Sequence, residues 1–422
     1  MALPAGLRAL GHRDFRLFWC GQLVSLIGTW MQSVGQAWLV LELTNSPFRL
    51  GVIGALQFGP ILLFSFLSGA ISDRVRKRRL LLGTQTALML QAFTLAALVG
   101  SGRVQFWHVA VLGALYGLAT TLDMPSRQSY IAHLVPRGDL MNAIALNSAV
   151  FNGARVVGPA VAGLLVARYG TAAAFLMNGA SFIAVLAALV AIRTEGAPSP
   201  RRGVGLRAEI AEGVRYAAGT PRVALVMSLL VVVSLFVVNM NVLVPLIARD
   251  VLHEGAHGFG LLMAALGVGA VAGALAVAAL SVGRPPLGMV VGPALAAAAL
   301  LLLLSTARHF GPTAAVLVAL GFAQIVFMTS CNTTVQIAVP DELRGRVMGL
   351  YALVFAGMTP IGALIMGTVA EHWGVSRACA VGGGAGLLLI LALTVVWRRR
   401  HPAPATPPPS STPAAPDRPV VP

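Results

Sequence analysis

The chain is short of charge. Only 10% of its 422 residues are Asp, Glu, Lys or Arg, against 57% hydrophobic residues and a mean hydropathy of +0.83. A soluble protein of this length needs far more charged surface, so a soluble globular class is excluded. Cysteine is scarce too. Cys20, Cys331 and Cys379 stand in apolar sequence, with no pair at metal-ligand spacing and no disulfide framework, and read as small core residues. Bulky Trp19 before Cys20 argues against a lipoprotein cysteine. Metal ligands are equally thin. His253 and His257 share a loop at helical spacing, with Glu254 as the only acid nearby. With no metal site, nucleophile motif or cofactor motif, an enzyme is not expected. Lysine is almost missing: Lys77 is the only one among 30 bases. The formal charge is +16, but the bases sit in short loops between apolar runs, which argues against a nucleic-acid partner.

Those apolar runs are what the sequence has in abundance. Runs of this kind, about 20 residues long, each suffice to cross a hydrocarbon core roughly 30 Å thick. They lack the strict alternation of a membrane barrel. The expected fold is therefore an all-α polytopic membrane protein of twelve spans. These fall at about 17–41, 49–71, 80–100, 106–134, 141–168, 172–192, 223–247, 259–280, 287–305, 312–338, 347–370 and 377–397. Arg8, Arg13 and Arg16 precede the first run, and no small-residue cleavage site follows it, so it reads as a retained span rather than a leader.

Loop charge predicts the orientation. With the N-terminus inside, cytoplasmic segments hold 22 bases and the opposite side holds six: Arg49, Arg103, Arg168, Arg249, Arg308 and Arg377. Both termini are thus expected in the cytoplasm. One loop is long. Within it, "GLRAEIAEGVRYAAG" places Leu206, Ile210 and Val214 at helical spacing, with Arg207, Glu209, Glu212 and Arg215 on other faces, as in a helix lying on the inner leaflet. The expected organisation is a six-span bundle over 1–192, a linker over 193–221, a second bundle over 222–398 and a disordered Pro-rich tail over 399–422.

The two bundles are repeats. Shifting residue numbers by 204 lays 135–170 on 339–374 without a gap. Val135-Pro136 meets Val339-Pro340, and Gly153, Gly158, Gly163 and Gly170 meet Gly357, Gly362, Gly367 and Gly374. Repeats in a polytopic chain point to a transporter with a central site between two related lobes. A non-transporting receptor or scaffold is the remaining rival from another class.

The stretch "SGAISDRVRKRRLLLG" resembles the major facilitator superfamily signature G-x-x-x-D-R-x-x-R-K between spans 2 and 3, through Gly69, Asp73, Arg74, Lys77 and Arg78. "NGARVVGPAVAG" resembles the antiporter pattern G-P-x-x-G-G of span 5 through Gly158, Pro159 and Gly163, with Ala162 departing from it. An arginine common in span 4 of exporters is absent, since position 113 is Gly. Further stretches, including "FRLFWCGQLVSLIGTWMQSVGQAWLV" and "VPDELRGRVMGLY", are similar to the enterobactin-exporter and transmembrane-secretion-effector branch. The resemblance covers nearly all of the chain except the tail. It implies the major facilitator fold, residence in a bacterial cytoplasmic (inner) membrane, and proton-driven export of a siderophore, secondary metabolite or drug by a monomer without a cofactor. The same fold also serves lysolipid transport and solute uptake. It further implies that Asp73, oriented by Arg74, docks on the start of span 11 near Leu343 to Val347 and latches one of two states. The bases alone fit a simpler reading, a topology anchor facing anionic lipid.

Polar residues mark candidate cavity faces. Gln22, Ser25, Thr29, Gln32 and Gln36 in span 1, and Tyr116, Thr120, Asp123, Arg127 and Tyr130 in span 4, each recur at spacings of 3 and 4 and so share a helical face. Ser148 and Asn152 in span 5, and Asn239, Asn241, Gln324, Asn332 and Gln336 in spans 7 and 10, extend the set. Such faces must look inward, either into a cavity or onto hydrogen-bond partners in other helices. Arg155 lies about 20 Å into span 5 and calls for an anion. Asp123 is the nearest acid by depth, and Arg127 stands one turn on. Asp123 thus reads as a proton exchanger or as half of a permanent ion pair, and Arg155 as a partner of Asp123 or of an anionic substrate group. Span 1 holds no acid between Asp14 and Glu42, which favours a neutral or anionic cargo over a cationic one.

Overall fold

The computed structural model describes residues 4–198, 206–280 and 285–401. The linker stretch 199–205 and the tail from 402 onward lie outside the described residues. After a short 3₁₀ turn come α1 (Arg13–Thr44), α2 (Pro47–Arg74), α3 (Lys77–Gly100), α4 (Phe106–Leu134), α5 (Leu140–Tyr169) and α6 (Thr171–Ala191). The linker holds α7 (Leu206–Gly219). The second half has α8 (Pro221–Phe236), α9 (Met240–Leu246), α10 (Ala256–Leu280), α11 (Gly288–Leu304), α12 (Phe310–Ala338), α13 (Asp341–Trp373) and α14 (Val375–Arg400).

Nine helical segments among the described residues are long and apolar enough to cross a membrane. Three further helices complete the set by their place in the order. α11 is shorter, while α1 and α4 are diluted by the polar residues their positions require. The seventh span is not one helix. It breaks after Phe236 and resumes at Met240, with a π turn following over Ile247–Val251. Carbonyls freed by the break find side-chain donors. Asn239 Nδ2 donates to Leu235 O at 2.8 Å and Gln324 Nε2 to Val237 O at 3.1 Å. An apolar interior tolerates unwound backbone only with such partners.

The repeat is visible in the backbone. Gly170 and Gly374, 204 positions apart, join α5 to α6 and α13 to α14 with φ of 77° and 84°. A side chain is strained at such φ values, which accounts for glycine at both corners. In the first half α1 packs on α5 and α6, α3 on α4 and α6, and α2 on α4. In the second half α10 packs on α12, α11 on α12 and α14, and α13 on α8 and α14. The halves meet through two repeat-related pairs, α2 with α13 and α5 with α10.

Both pairs touch only toward the end of the bundle remote from the termini. There a Cβ built on Gly51 would stand 2.5 Å from Ala363 O, and one on Gly260 would stand 2.5 Å from Pro159 O. Helix backbones come this close only where side chains are missing. Toward the terminal end the pairs diverge. Cβ atoms built on Gly69, Gly345 and Gly349 meet nothing within 4 Å, and Met141 is 79% exposed. The result is a V-shaped cleft, shut at the far end and open at the terminal end.

Candidate functional site

Arg155 stands at the apex of the V. Below it on α5, Met141, Ile144, Ser148 and Phe151 are exposed. From Arg155 onward α10 covers the helix: a Cβ on Gly267 would lie 2.8 Å from Arg155 O. The Arg155 guanidinium lies over the Trp30 ring of α1 at 5.9 Å, and Phe151 meets Trp30 edge-on at 6.1 Å. The expected approach of Arg155 to Asp123 does not occur. Among the described residues, Arg155 has no hydrogen bond or ion pair.

Asp123 is already engaged. Its Oδ1 accepts Thr84 Oγ1 at 2.8 Å and Gln85 Nε2 at 2.7 Å, both from α3, and its Oδ2 pairs with Arg127. Arg127 also donates to Gln22 Oε1 at 2.7 Å. The carboxylate side chain is 3% exposed and that of Arg127 21%. This arrangement braces α1, α3 and α4 within the first half, and it gives each carboxylate oxygen a donor in place of water.

The span 1 stripe does not form one cavity wall. Gln32 Nε2 donates to Gln91 Oε1 at 2.9 Å, and Asn178 Nδ2 donates to Gln32 Oε1 at 2.7 Å, a chain buried among α1, α3 and α6. Ser25 is buried and its carbonyl accepts Thr29 Oγ1 at 2.9 Å. Gln36 Oε1 accepts Gln57 Nε2 at 3.2 Å. Beyond the apex, Ser33, Gln36, Gln57, Phe58 and Asn241 line a narrow pocket between the halves. The face of α1 toward the cleft is the one holding Trp30, Ser33 and Ala37, about a quarter turn from the polar stripe.

Other expected lining residues are elsewhere. Asn239 and Gln324 serve the break in the seventh span. Tyr130 is fully buried with its hydroxyl on Thr194 O, while Tyr116 and Thr120 are half-buried on the same helix. Asn152 Nδ2 donates to Ser148 O at 2.8 Å on the open stretch of α5. Gln336 and Asn332 pair at the terminal end of α12. Gly158 backs onto Trp30, and Pro159 and Gly163 face Gly260. Cys331 and Cys379 are buried, but Cys20 is exposed, a correction to its reading as a core residue.

The basic loop has partners within the protein. Arg76, Lys77 and Arg78 hold the stretch that follows α6. Arg76 pairs with Glu195, and Lys77 N and Arg78 N donate to Gly196 O and Glu195 O at 3.2 and 3.1 Å. Arg78 Nε and Nη2 reach Leu189 O and Val190 O at 2.6 and 2.8 Å. Lys77 is buried with Nζ on Ser72 O, whereas Arg74 is exposed. The backbone of Asp73 belongs to α2, but its side chain lies outside the described residues. Asp14 closes the same clamp by accepting Thr194 Oγ1 and N at 2.8 and 3.0 Å and Arg193 N at 3.2 Å. Partial burial raises the Asp14 pKa, but those hydrogen bonds and the Arg13 charge outweigh it, leaving the carboxyl below its ordinary value. At the other end of the linker, Glu212 of α7 pairs with Arg346 of α13, and Tyr216 Oη donates to Ala338 O at 2.9 Å.

Sequence reasoning missed Trp30, Phe151, Gln57, Gln85, Gln91 and Asn178. Gln57 carried a signal, being the one amide in α2. The aromatic pair gave none, because aromatic residues in a span are ordinary and their meeting depends on the crossing of α1 and α5.

Comparison with known proteins fits this architecture. The family described as transmembrane secretion effector matches residues 5–415. The chain is 26% identical over 387 residues to the staphyloferrin A transporter of Staphylococcus aureus, covering 87% of this chain and 92% of that protein. It is 28% identical over 363 residues to the multidrug efflux pump Tap of Mycolicibacterium fortuitum, covering 82% and 87%. It is 24% identical over 371 residues to the enterobactin exporter EntS of Shigella boydii, covering 84% and 85%. Among solved structures, the nucleoside transporter NupG superposes with a TM-score of 0.73 at 11% identity, covering 91% and 99%. An inward-facing bacterial homologue of the lysosomal transporter Spinster gives 0.67 at 14%, covering 91% and 95%. At these identities the superpositions show a shared fold.

Proposed function

Because the chain belongs to the transmembrane secretion effector family of major facilitator transporters, we propose that it exports a small neutral or anionic molecule from the cytoplasm by alternating access, driven by the proton gradient. The 22-to-6 loop charge asymmetry supports placing both termini in the cytoplasm, hence the cleft open inward in a bacterial cytoplasmic membrane. The relatives' names, a siderophore transporter, a drug efflux pump and an enterobactin exporter, support the outward direction and the cargo class.

The observation that supports the charge preference most is Arg155 at the cleft apex without an acid partner. An unpaired guanidinium at that depth is costly, and a cargo anion relieves the cost. Asp123 is better read as the internal brace of the first half, since its oxygens are fully served by Thr84, Gln85 and Arg127. The loop around Gly69, Asp73 and Arg74 is the catch for the opposite state. Gly69 and the start of α13 at Gly345 and Gly349 have open space here and would meet when the halves rock. In everted vesicles, whose lumen stands for the cell exterior, an imposed outward-directed proton gradient (acidic lumen) should drive uptake of matched anionic and neutral compounds. Arg155→Lys should keep the anion preference and Arg155→Gln should lose it. Equal transport of both compounds by all three forms would remove Arg155 from the binding site.

A further inference from the structure

The surroundings of Arg155 narrow the cargo. We propose that Arg155, Trp30 and Phe151 form one subsite for an aromatic ring carrying an acidic oxygen group, such as an aryl carboxylate. The inference rests on the reading of Arg155 as an anion site and adds the ring.

Three observations support it. First, the Arg155 guanidinium is 5.9 Å from the Trp30 ring centroid, near the outer limit of a cation–π contact. With no hydrogen bond or ion pair among the described residues, its planar fork can turn onto a carboxylate, which it matches in two parallel bonds. Second, Phe151 stands one helical turn below Arg155 on α5 and is 46% exposed, although it meets Trp30 edge-on at 6.1 Å. Trp30 therefore covers Phe151 only in part, and Phe151 stands at the height where the ring of a molecule bound to Arg155 would lie. Third, the subsite has a floor and an entrance. Backbone contact of α10 at Gly267 closes it above Arg155, and below it Met141, Ile144 and Ser148, on the same face of α5 as Arg155, are exposed. A flat group can enter from the terminal end and stop at Arg155. An aliphatic acid would use the guanidinium but leave the quadrupoles of both rings unmatched.

The test is equilibrium binding to the purified full chain in detergent, which does not depend on direction or energy coupling. Three probes of similar shape are 2-naphthoate, decahydro-2-naphthoate and 2-naphthamide. The wild type should bind 2-naphthoate at least about fivefold more tightly than either analogue. Trp30→Leu and Phe151→Leu should each reduce the aromatic-over-saturated ratio toward one while keeping the acid-over-amide ratio. Arg155→Gln should do the reverse, and Arg155→Lys should restore most of the acid preference. Equal binding of the two acids by the wild type would overturn the inference even if the acid-over-amide ratio stayed high, and Arg155 would stand as an anion site alone. Loss of the acid-over-amide ratio in the wild type would overturn the anion reading itself. Unfolding of a variant is excluded by matching its thermal transition to the wild type, and Phe151→Leu is a second route if Trp30→Leu fails.

Discussion

The two interfaces between the halves are related by the repeat but are held together differently. At the α2–α13 interface a carboxylate crosses from one half to the other. Glu371 Oε2 accepts Ser46 Oγ at 2.9 Å and Phe48 N at 3.1 Å, capping the N-terminus of α2 from outside. At α5–α10 the offset of 204 places Ala167 where Glu371 stands. There the first turn of α10 is covered by Glu254 of its own half, whose side chain lies against Gly258. The cross-half contact is backbone against backbone through Pro159, Gly163 and Gly260. Close backbone packing is common to both, since Gly51 and Gly367 lie against Ala363 O and Pro47 O at α2–α13, but there the Glu371 contacts add directional bonds that break together. Both repeat-related contacts are bearings, and the α2–α13 one also carries a catch.

The sharpest way to break this comparison is to spoil the α5–α10 bearing. Gly260→Leu would drive a side chain into Pro159 O, where neither backbone can move aside. Overpacking of this kind costs about 1–3 kcal/mol. Transport should fall about tenfold or more, and a far-end cysteine in a thiol-free background should become reactive to an impermeant reagent. The catch is next. Glu371→Ala removes two bonds to a charged acceptor, nominally about 1.5–3 kcal/mol each and less at this exposed site. Spin labels at the far ends of α2 and α13 should show the separated population rising about tenfold, and Glu371→Gln should show a smaller rise. Ser46→Ala removes one of those donors and the cap on Arg49 N, and should shift the same distribution only a few-fold, for a loss of about 1 kcal/mol. Glu254→Ala should leave the distance between halves unchanged and cost only about 0.3–1 kcal/mol of local helix stability. A change in that distance would mean that Glu254 also spans the halves.

Much of the fold was legible because it follows from local rules. Apolar run length located the spans, and the constant offset of the repeat put Gly170 and Gly374 at equivalent positions, which are the two interhelical corners. The site was legible only in part. Arg155 declared itself by charge at depth, but its neighbours did not. The span 1 amides were visible as a stripe, yet rotation of α1 by about a quarter turn gives Gln32 to α3 and α6 and leaves Trp30 to the cleft. Periodicity shows that residues share a face without showing which neighbour the face meets. Glu371 and Ser46 are 325 positions apart in the chain, and no local pattern signals such a bond. The break in the seventh span was hidden for a similar reason, because the donor that satisfies Val237 O belongs to α12.

Arg155 has an electrical consequence. In a cleft open to one side, the membrane voltage falls mainly across the shut part of the protein. Arg155 then sits near the potential of the compartment it faces. When the halves rock, its charge changes compartments electrically while the atoms barely move, a transfer worth about 2.3 kcal/mol per 100 mV. On the proposed reading, with cytoplasmic termini and an anion held by Arg155, a negative interior would draw the empty carrier into the orientation seen here, and a carrier holding a monoanion, neutral at that point, would turn outward without opposing the field.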